Sequence, residues 1–441
     1  MPDAINLSVR MARSNLPAMR TVQVAQAMVE ITPNAAMLSS APNTLNMCLV
    51  IDHSGSMEAQ NKIGYAKEAV RLVLDRLSPS DIISVVGFNS RHTTFIPAST
   101  INDMQRPRLK RDIEQIQPFG GTRMAPAMRE AIRTLQEGVR LAGQAAVPLN
   151  RMVLLTDGRT EREDDCRNTA RIAAQQRVGI TALGLGTDWN ERLLDDIADF
   201  TGGVADYVDS PARIIDYFQE AVRSLQAVVI DNASLRLRLA PGVSLRAAYR
   251  TMPQISQLAA APNIGADFGE SSTYYIGQVE RGRGQALMLE LLLPPSEAGD
   301  FRIASADLIY DMPASRQRGL IASADVVATF DPPAQLPNSA SDPTVMSVVE
   351  KIAAHKLQQR AMEDLNAGDT VGAAQKLQGA ATRLLSQGEV ELANRLAMEA
   401  QSLQANNPMS EEARKAINYG IRKTVHLNLQ QQRDIPTDQL G

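Results

Sequence analysis

The sequence predicts an α/β protein: a doubly wound, mostly parallel sheet inserted in a β-sandwich, with a helical bundle at the C-terminal end. Three observations lead there. Four mainly apolar runs, residues 45–51, 82–88, 152–155 and 180–185, lack polar alternation and are separated by helical patterns, as expected of strands covered on both faces and joined by helices. Period-two alternation flanks this region on both sides, the pattern of half-buried strands. After residue 342 the strand patterns stop, and apolar residues recur at helical spacing.

Taken in order, Ile5, Leu7, Val9 and Met11 alternate with Asn6, Ser8 and Arg10. A second strand over residues 22–31 ends at the breaker Pro33-Asn34. A lone hairpin is marginal in water, so residues 1–44 are expected to complete the sandwich. Residues 45–226 form the α/β domain. Its helices are marked by Ile63, Ala66, Val70, Val73, Leu74 and Leu77, by Met124, Met128, Ala131, Ile132, Leu135 and Val139, and by shorter stripes around Cys166–Ala173, Leu193–Ile197 and Ile214–Val222. In residues 227–332 alternation returns: Leu235, Leu237 and Leu239 face away from Arg236 and Arg238, which read as a solvated strand face. Further strands over 274–279, 285–293, 301–309 and 320–330 are separated by Gly- or Pro-bearing turns, and short strands at regular spacing suggest a sandwich. A Pro-rich linker precedes a helical domain at residues 342–425. That domain has small residues at close-packed positions but lacks the Trp, Gly and Tyr signature of tetratricopeptide repeats, so a small bundle is expected. Residues 426–441 read as a polar tail.

Composition narrows the function. The net charge of −4 and an aromatic content of 4% argue against a polyanion-binding surface or a base-stacking platform. Two cysteines, Cys48 and Cys166, are too few for a disulfide framework or a thiolate zinc site. No apolar run reaches the roughly 18 residues a membrane helix requires, and the N-terminus lacks the layout of a secretory signal. A cytoplasmic protein is the expectation.

Three short stretches carry the chemistry. Asp52-His53-Ser54-Gly55-Ser56 follows the first buried strand, Gly120-Gly121-Thr122 precedes a helix, and Thr156-Asp157-Gly158 ends a third strand. Each has a plain structural explanation. Asp and Ser favour turns, and Thr122 could cap its helix. Yet in a doubly wound sheet all three loops can meet on the ligand-binding edge, and oxygen donors there suit a hard cation.

Residues 45–225 thereby resemble a von Willebrand factor type A domain with a complete metal-ion-dependent adhesion site. The family pattern Asp-x-Ser-x-Ser, then Thr, then Asp falls on Asp52, Ser54, Ser56, Thr122 and Asp157. His53 occupies a variable position and is expected to pack locally. The resemblance implies a Mg²⁺ ion, with Mn²⁺ or Ca²⁺ as alternatives, and a partner protein that supplies a Glu or Asp carboxylate. Bacterial proteins with this domain often carry a flanking sandwich and C-terminal helices, and some relatives work beside MoxR-type AAA+ ATPases, which makes an accessory subunit of such an ATPase the alternative. An Mg²⁺-dependent hydrolase is disfavoured: no nucleophile–base pair and no phosphate-binding Gly-rich loop is evident. The expectation is a binding module and not an enzyme.

Overall fold

The computed structural model describes residues 5–34, 43–143, 147–258, 271–332 and 340–423. The α/β body begins with β4 (Leu45–Asp52), α1 (Lys62–Arg76), β5 (Ile82–Phe88), β6 (His92–Thr100), α2 (Arg106–Glu114) and α3 (Met124–Ala142). It continues through β7 (Leu149–Thr156), α4 (Glu163–Gln175), β8 (Gly179–Leu185), α5 (Glu191–Phe200), β9 (Val204–Val208) and α6 (Ile214–Ala227). The sheet order is β6-β5-β4-β7-β8-β9. All neighbours pair in parallel except β6, which runs antiparallel to β5.

Both faces of this sheet are covered, and β4 shows how. Its odd residues Leu45, Met47, Leu49 and Ile51 pack with α1 and α6. Its even residues Cys48 and Val50 pack with α3, α4 and α5. Successive side chains of a strand point to opposite faces, so a strand buried twice is apolar throughout. Cys48 and Cys166 are both buried as free thiols.

The sandwich is assembled from both flanks. β1 (Ile5–Met11) and β3 (Gln23–Pro33) join β14 (Gln285–Leu293), β11 (Ser244–Arg250) and β12 (Ser256–Gln257) in one sheet. β13 (Ser271–Glu280), β10 (Val228–Leu239), β15 (Gly299–Met312), β16 (Gln317–Asp331) and β2 (Asn15–Pro17) form the other. β3 pairs antiparallel along the whole of β14, from Gln285 opposite Ile31 to Leu293 opposite Gln23. Val29, Ile31, Leu235, Leu237, Leu287, Leu289 and Leu308 fill the space between the sheets. Arg236 and Arg238 are only part of a solvated face: both reach the nearly buried Asp307, at 3.2 and 2.9 Å.

Four helices follow: α7 (Pro343–Asn366), α8 (Thr370–Ser386), α9 (Val390–Gln404) and α10 (Glu411–Arg422). Asp342, Asp369 and Ser410 cap three of them with side-chain oxygens, satisfying backbone donors that a helix start leaves open. Their shared core is Ala- and Leu-rich. α7 lays Val345, Val348 and Ile352 on Met28, Met288 and Tyr249 at the outer face of the β3–β14 sheet. α10 instead docks on the α/β body, where Tyr419 joins the core beside Trp189 and Tyr207. The Lys415 ammonium donates to the Trp189 carbonyl at 2.9 Å and sits 3.7 Å above its ring. Arg422 forms a bidentate pair with Asp195 at 2.6 and 2.7 Å. The polar tail and most of the Pro-rich linker lie outside the described residues. Among the described residues no helix is long and apolar enough to cross a membrane.

Candidate functional site

The three loops meet at the C-terminal edge of β4 and β7. Backbone bonds hold them together before any side chain is considered. Gly55 N–H donates to the Gly120 carbonyl at 3.0 Å, and Phe119 N–H donates to the His53 carbonyl at 2.9 Å. Gly120 has φ of 79°, the left-handed region that glycine enters without steric cost.

Asp52 closes β4 and is fully buried. Its Oδ1 accepts from Ser54 N–H at 2.8 Å and its Oδ2 from the Thr156 hydroxyl at 2.7 Å. Burial pushes its pKa up to about 6, against the lowering effect of these hydrogen bonds and with a small further rise from Asp157. A carboxylate that desolvation makes costly to ionise is stabilised by a nearby cation. The hydroxyls of Ser54 and Ser56 lie 3.1 Å apart. Ser56 in turn donates to Asp157 Oδ1 at 2.7 Å. Asp157 follows β7, and its second oxygen receives the Lys62 ammonium at 2.7 Å.

Thr122 sits at the same edge, with Oγ1 3.7 Å from where a Cβ on Gly158 would stand. It does not cap α3. The first amide of that helix, Met124 N–H, donates to the Thr160 hydroxyl at 2.9 Å, which leaves the Thr122 side chain free of that duty. All five candidate residues thus come from three loops to one edge, and the plain-turn explanation of Asp157 fails because its carboxylate reaches across to Ser56 and Lys62. His53 packs locally: it is buried, with Nδ1 donating to the Gln117 carbonyl at 2.8 Å and its ring edge-on to Phe95 and Phe119. Burial lowers its pKa.

Lys62 was not singled out by sequence, and Thr156 figured only as part of its stretch, not as one of the five candidate residues. Thr156 had a signal, since it immediately precedes Asp157 at a buried strand end. Lys62 had none: it opens a helix and belongs to no apolar stripe.

The donor set fits a hard divalent cation. Apart from the Lys62 ammonium every convergent group is an oxygen, and the Ser54–Ser56 separation of 3.1 Å matches the edge of an octahedron whose bonds are about 2.0–2.1 Å, roughly 3 Å. No group of three or more His, Cys, Asp or Glu residues suited to a metal exists among the described residues; at this edge two carboxylates stand with three hydroxyls. A cavity of about 720 Å³ lies elsewhere, near the opposite strand ends, lined by Arg151, Thr181, Val204 and residues of α6 and β13. Its charges are largely paired internally, as Lys423 with Asp206 and Arg283 with Glu220, and it shares no residue with the loop edge.

Comparison with known proteins places these parts. The chain is 29% identical to the uncharacterized protein sll0103 of Synechocystis, over 84% of this chain and 86% of that protein. Inter-alpha-trypsin inhibitor heavy chain H4 of Bos taurus is 33% identical over 44% of this chain, which spans only 22% of that longer protein. Among solved structures, a von Willebrand factor type A protein from Catenulispora acidiphila superposes with a TM-score of 0.78 at 17% identity, covering 97% of this chain and 99% of that one; at that identity the likeness speaks for the fold. Residues 46–220 match the family model for the von Willebrand factor type A domain, and residues 343–427 match that for the Sll0103-like, C-terminal alpha-helical domain. The loops that gather Asp52, Thr122 and Asp157 therefore belong to a von Willebrand factor type A domain, and the four C-terminal helices to a Sll0103-like C-terminal domain.

Proposed function

We propose that this protein is a metal-dependent protein-interaction module, an adaptor or scaffold whose von Willebrand factor type A domain binds an acidic side chain of a partner. One observation carries the proposal: hydroxyls and carboxylates from three separate loops converge on one sheet edge, with Ser54, Ser56 and Asp157 in a continuous hydrogen-bonded chain. Ser54, Ser56 and Thr122 would hold Mg²⁺ through their hydroxyls, and Asp52 and Asp157 through carboxylates, directly or by way of water. When bound, the ion supplies a positive charge with a coordination position for an external carboxylate. Neutral hydroxyl donors leave that charge only partly compensated, which favours an anionic partner group.

The chain's own residues support binding over catalysis. Both oxygens of Asp52 and both of Asp157 already accept hydrogen bonds. The His53 ring is wedged between two phenylalanines instead of facing the loop edge. A general base must reach the proton it removes, and these groups are held for positioning.

The test is Mg²⁺ binding by the full chain, measured by calorimetry, together with partner capture in Mg²⁺ and in EDTA. Wild type should bind Mg²⁺ and lose its partner in EDTA; Asp52→Asn and Thr122→Ala should lose both properties with circular dichroism unchanged. Equal Mg²⁺ binding in wild type and Asp52→Asn, with partners indifferent to EDTA, would overturn the proposal.

A further inference from the structure

The ammonium of Lys62 lies 2.7 Å from Asp157 Oδ2. The Asp157 side chain is 0% exposed and that of Lys62 only 16%. The carboxylate that the edge would offer to a divalent ion therefore already holds a cation. Lys62 is also the first residue of α1, a helix with no acidic residue in its first turn. The N-terminus of a helix carries partial positive charge and disfavours cations. The helix gives this ammonium no reason to be there; Asp157 does.

We propose that Lys62 is a tethered competitor of the divalent ion: ammonium and metal contend for Asp157, so Lys62 sets the metal concentration at which the site loads. The inference rests on the metal-centre reading above and adds a residue that opposes the five donors. The chemistry suits the role. An ammonium is a compact point charge on a flexible four-carbon stem, able to leave one carboxylate oxygen without disturbing the backbone. Asp157 keeps its place when Lys62 leaves, because Ser56 still donates to Oδ1 at 2.7 Å. With Lys62 present, the formal charge of Asp52, Asp157 and Lys62 sums to −1, and the edge attracts a divalent ion less than two free carboxylates would. Loss of the ammonium restores the full attraction but leaves Asp157 buried and uncompensated until metal arrives.

These two consequences run in opposite directions, and together they distinguish competition from mere positioning. The experiment titrates MgCl₂ alone into the full chain by calorimetry and measures Tm with and without Mg²⁺, for wild type, Lys62→Met, Lys62→Arg and Asp52→Asn. Lys62→Met should bind Mg²⁺ roughly tenfold more tightly, a factor within the coupling measured for charged neighbours in contact. Its metal-free Tm should fall below wild type, and its rise in Tm on adding Mg²⁺ should exceed that of wild type. Lys62→Arg, which keeps the charge, should stay near wild type in affinity. If a folded Lys62→Met binds Mg²⁺ no more tightly than wild type, Lys62 only orients Asp157 and the inference is overturned. If wild type binds no Mg²⁺ and Asp52→Asn behaves identically, the metal-centre reading falls as well, a different outcome from a change confined to Lys62.

Discussion

His355, in the middle of α7, shows how much a single side chain can impose on the conditions this fold tolerates. It is 1% exposed, and burial, aided by the nearby charges of Arg422 and Lys356, holds its pKa down to about 3 from an ordinary 6.5. A base kept neutral in the folded state but free to protonate when unfolded stabilises the fold above its ordinary pKa. That contribution is lost as pH falls from about 6.5 toward 3, at up to about 1.4 kcal/mol per pH unit. Asp52 and Asp199 act in the opposite sense: burial raises both to about 6, so they favour the fold as pH drops from 6 toward 4. Comparing wild type with His355→Gln cancels the carboxylates. The Tm of wild type should decline more steeply between pH 6.5 and 4 than that of the variant, and parallel curves would refute the assignment. At this scale the placement of Asp52, Ser54, Ser56, Thr122 and Asp157 was legible, because strand ends and their loops announce themselves through apolar runs and glycine. Lys62 was not, because its contact spans 95 residues of sequence and leaves no periodic trace.

Elements were legible in proportion to how strongly they are buried on a regular period. β4, β5, β7 and β8 declared themselves by continuous apolar runs. β6, α2 and β9 went unseen. β6 is a partly exposed antiparallel edge strand carrying Pro97, which suits an edge but dilutes the pattern. α2 turns only Leu109 and Ile113 inward, and β9 is five residues long with Asp206 in its centre. The contact between elements is equally hidden. Gly202 follows α5 and Gly277 interrupts β13; a Cβ on Gly277 would stand 2.8 Å from the Gly202 carbonyl oxygen, at φ of 84°. Backbone cannot step aside as a side chain can. Gly277→Ala should therefore lower the urea midpoint substantially, by about 2 kcal/mol or more in stability. Gly319→Ala supplies the control, since Gly319 also has positive φ, 65°, but nothing within 4 Å of the new methyl group. Equal losses in the two variants would show that the left-handed backbone alone, and not the Gly202–Gly277 approach, sets the cost.

For the molecule as a whole, alternation on both flanks of the α/β region was enough to read a sandwich interrupted by another domain. The double docking of the C-terminal helices was not readable, because it depends on Lys415, Tyr419 and Arg422, polar or amphipathic residues on a helix that looks solvated in sequence. The interleaving has a direct test. Removing residues 1–33 deletes β1, β2 and β3 and strips β14 of one of its two partners, leaving only β11 beside it and Leu287, Leu289 and Leu291 without the cover of Val29 and Ile31. Such a chain should be insoluble or bind a hydrophobic dye strongly. A soluble truncated protein with an undiminished, cooperative urea transition would contradict the pairing of β3 with β14.

That pairing also dictates an order of events during synthesis. β3 ends at Pro33 and β14 begins at Gln285. At about 5–20 residues per second, some 250 residues take roughly 13–50 s to emerge. Through that interval the first strands have only each other, as a hairpin of marginal stability, while β4 through α6 are completed between them. The earliest part of this chain to be made is among the last to find its place.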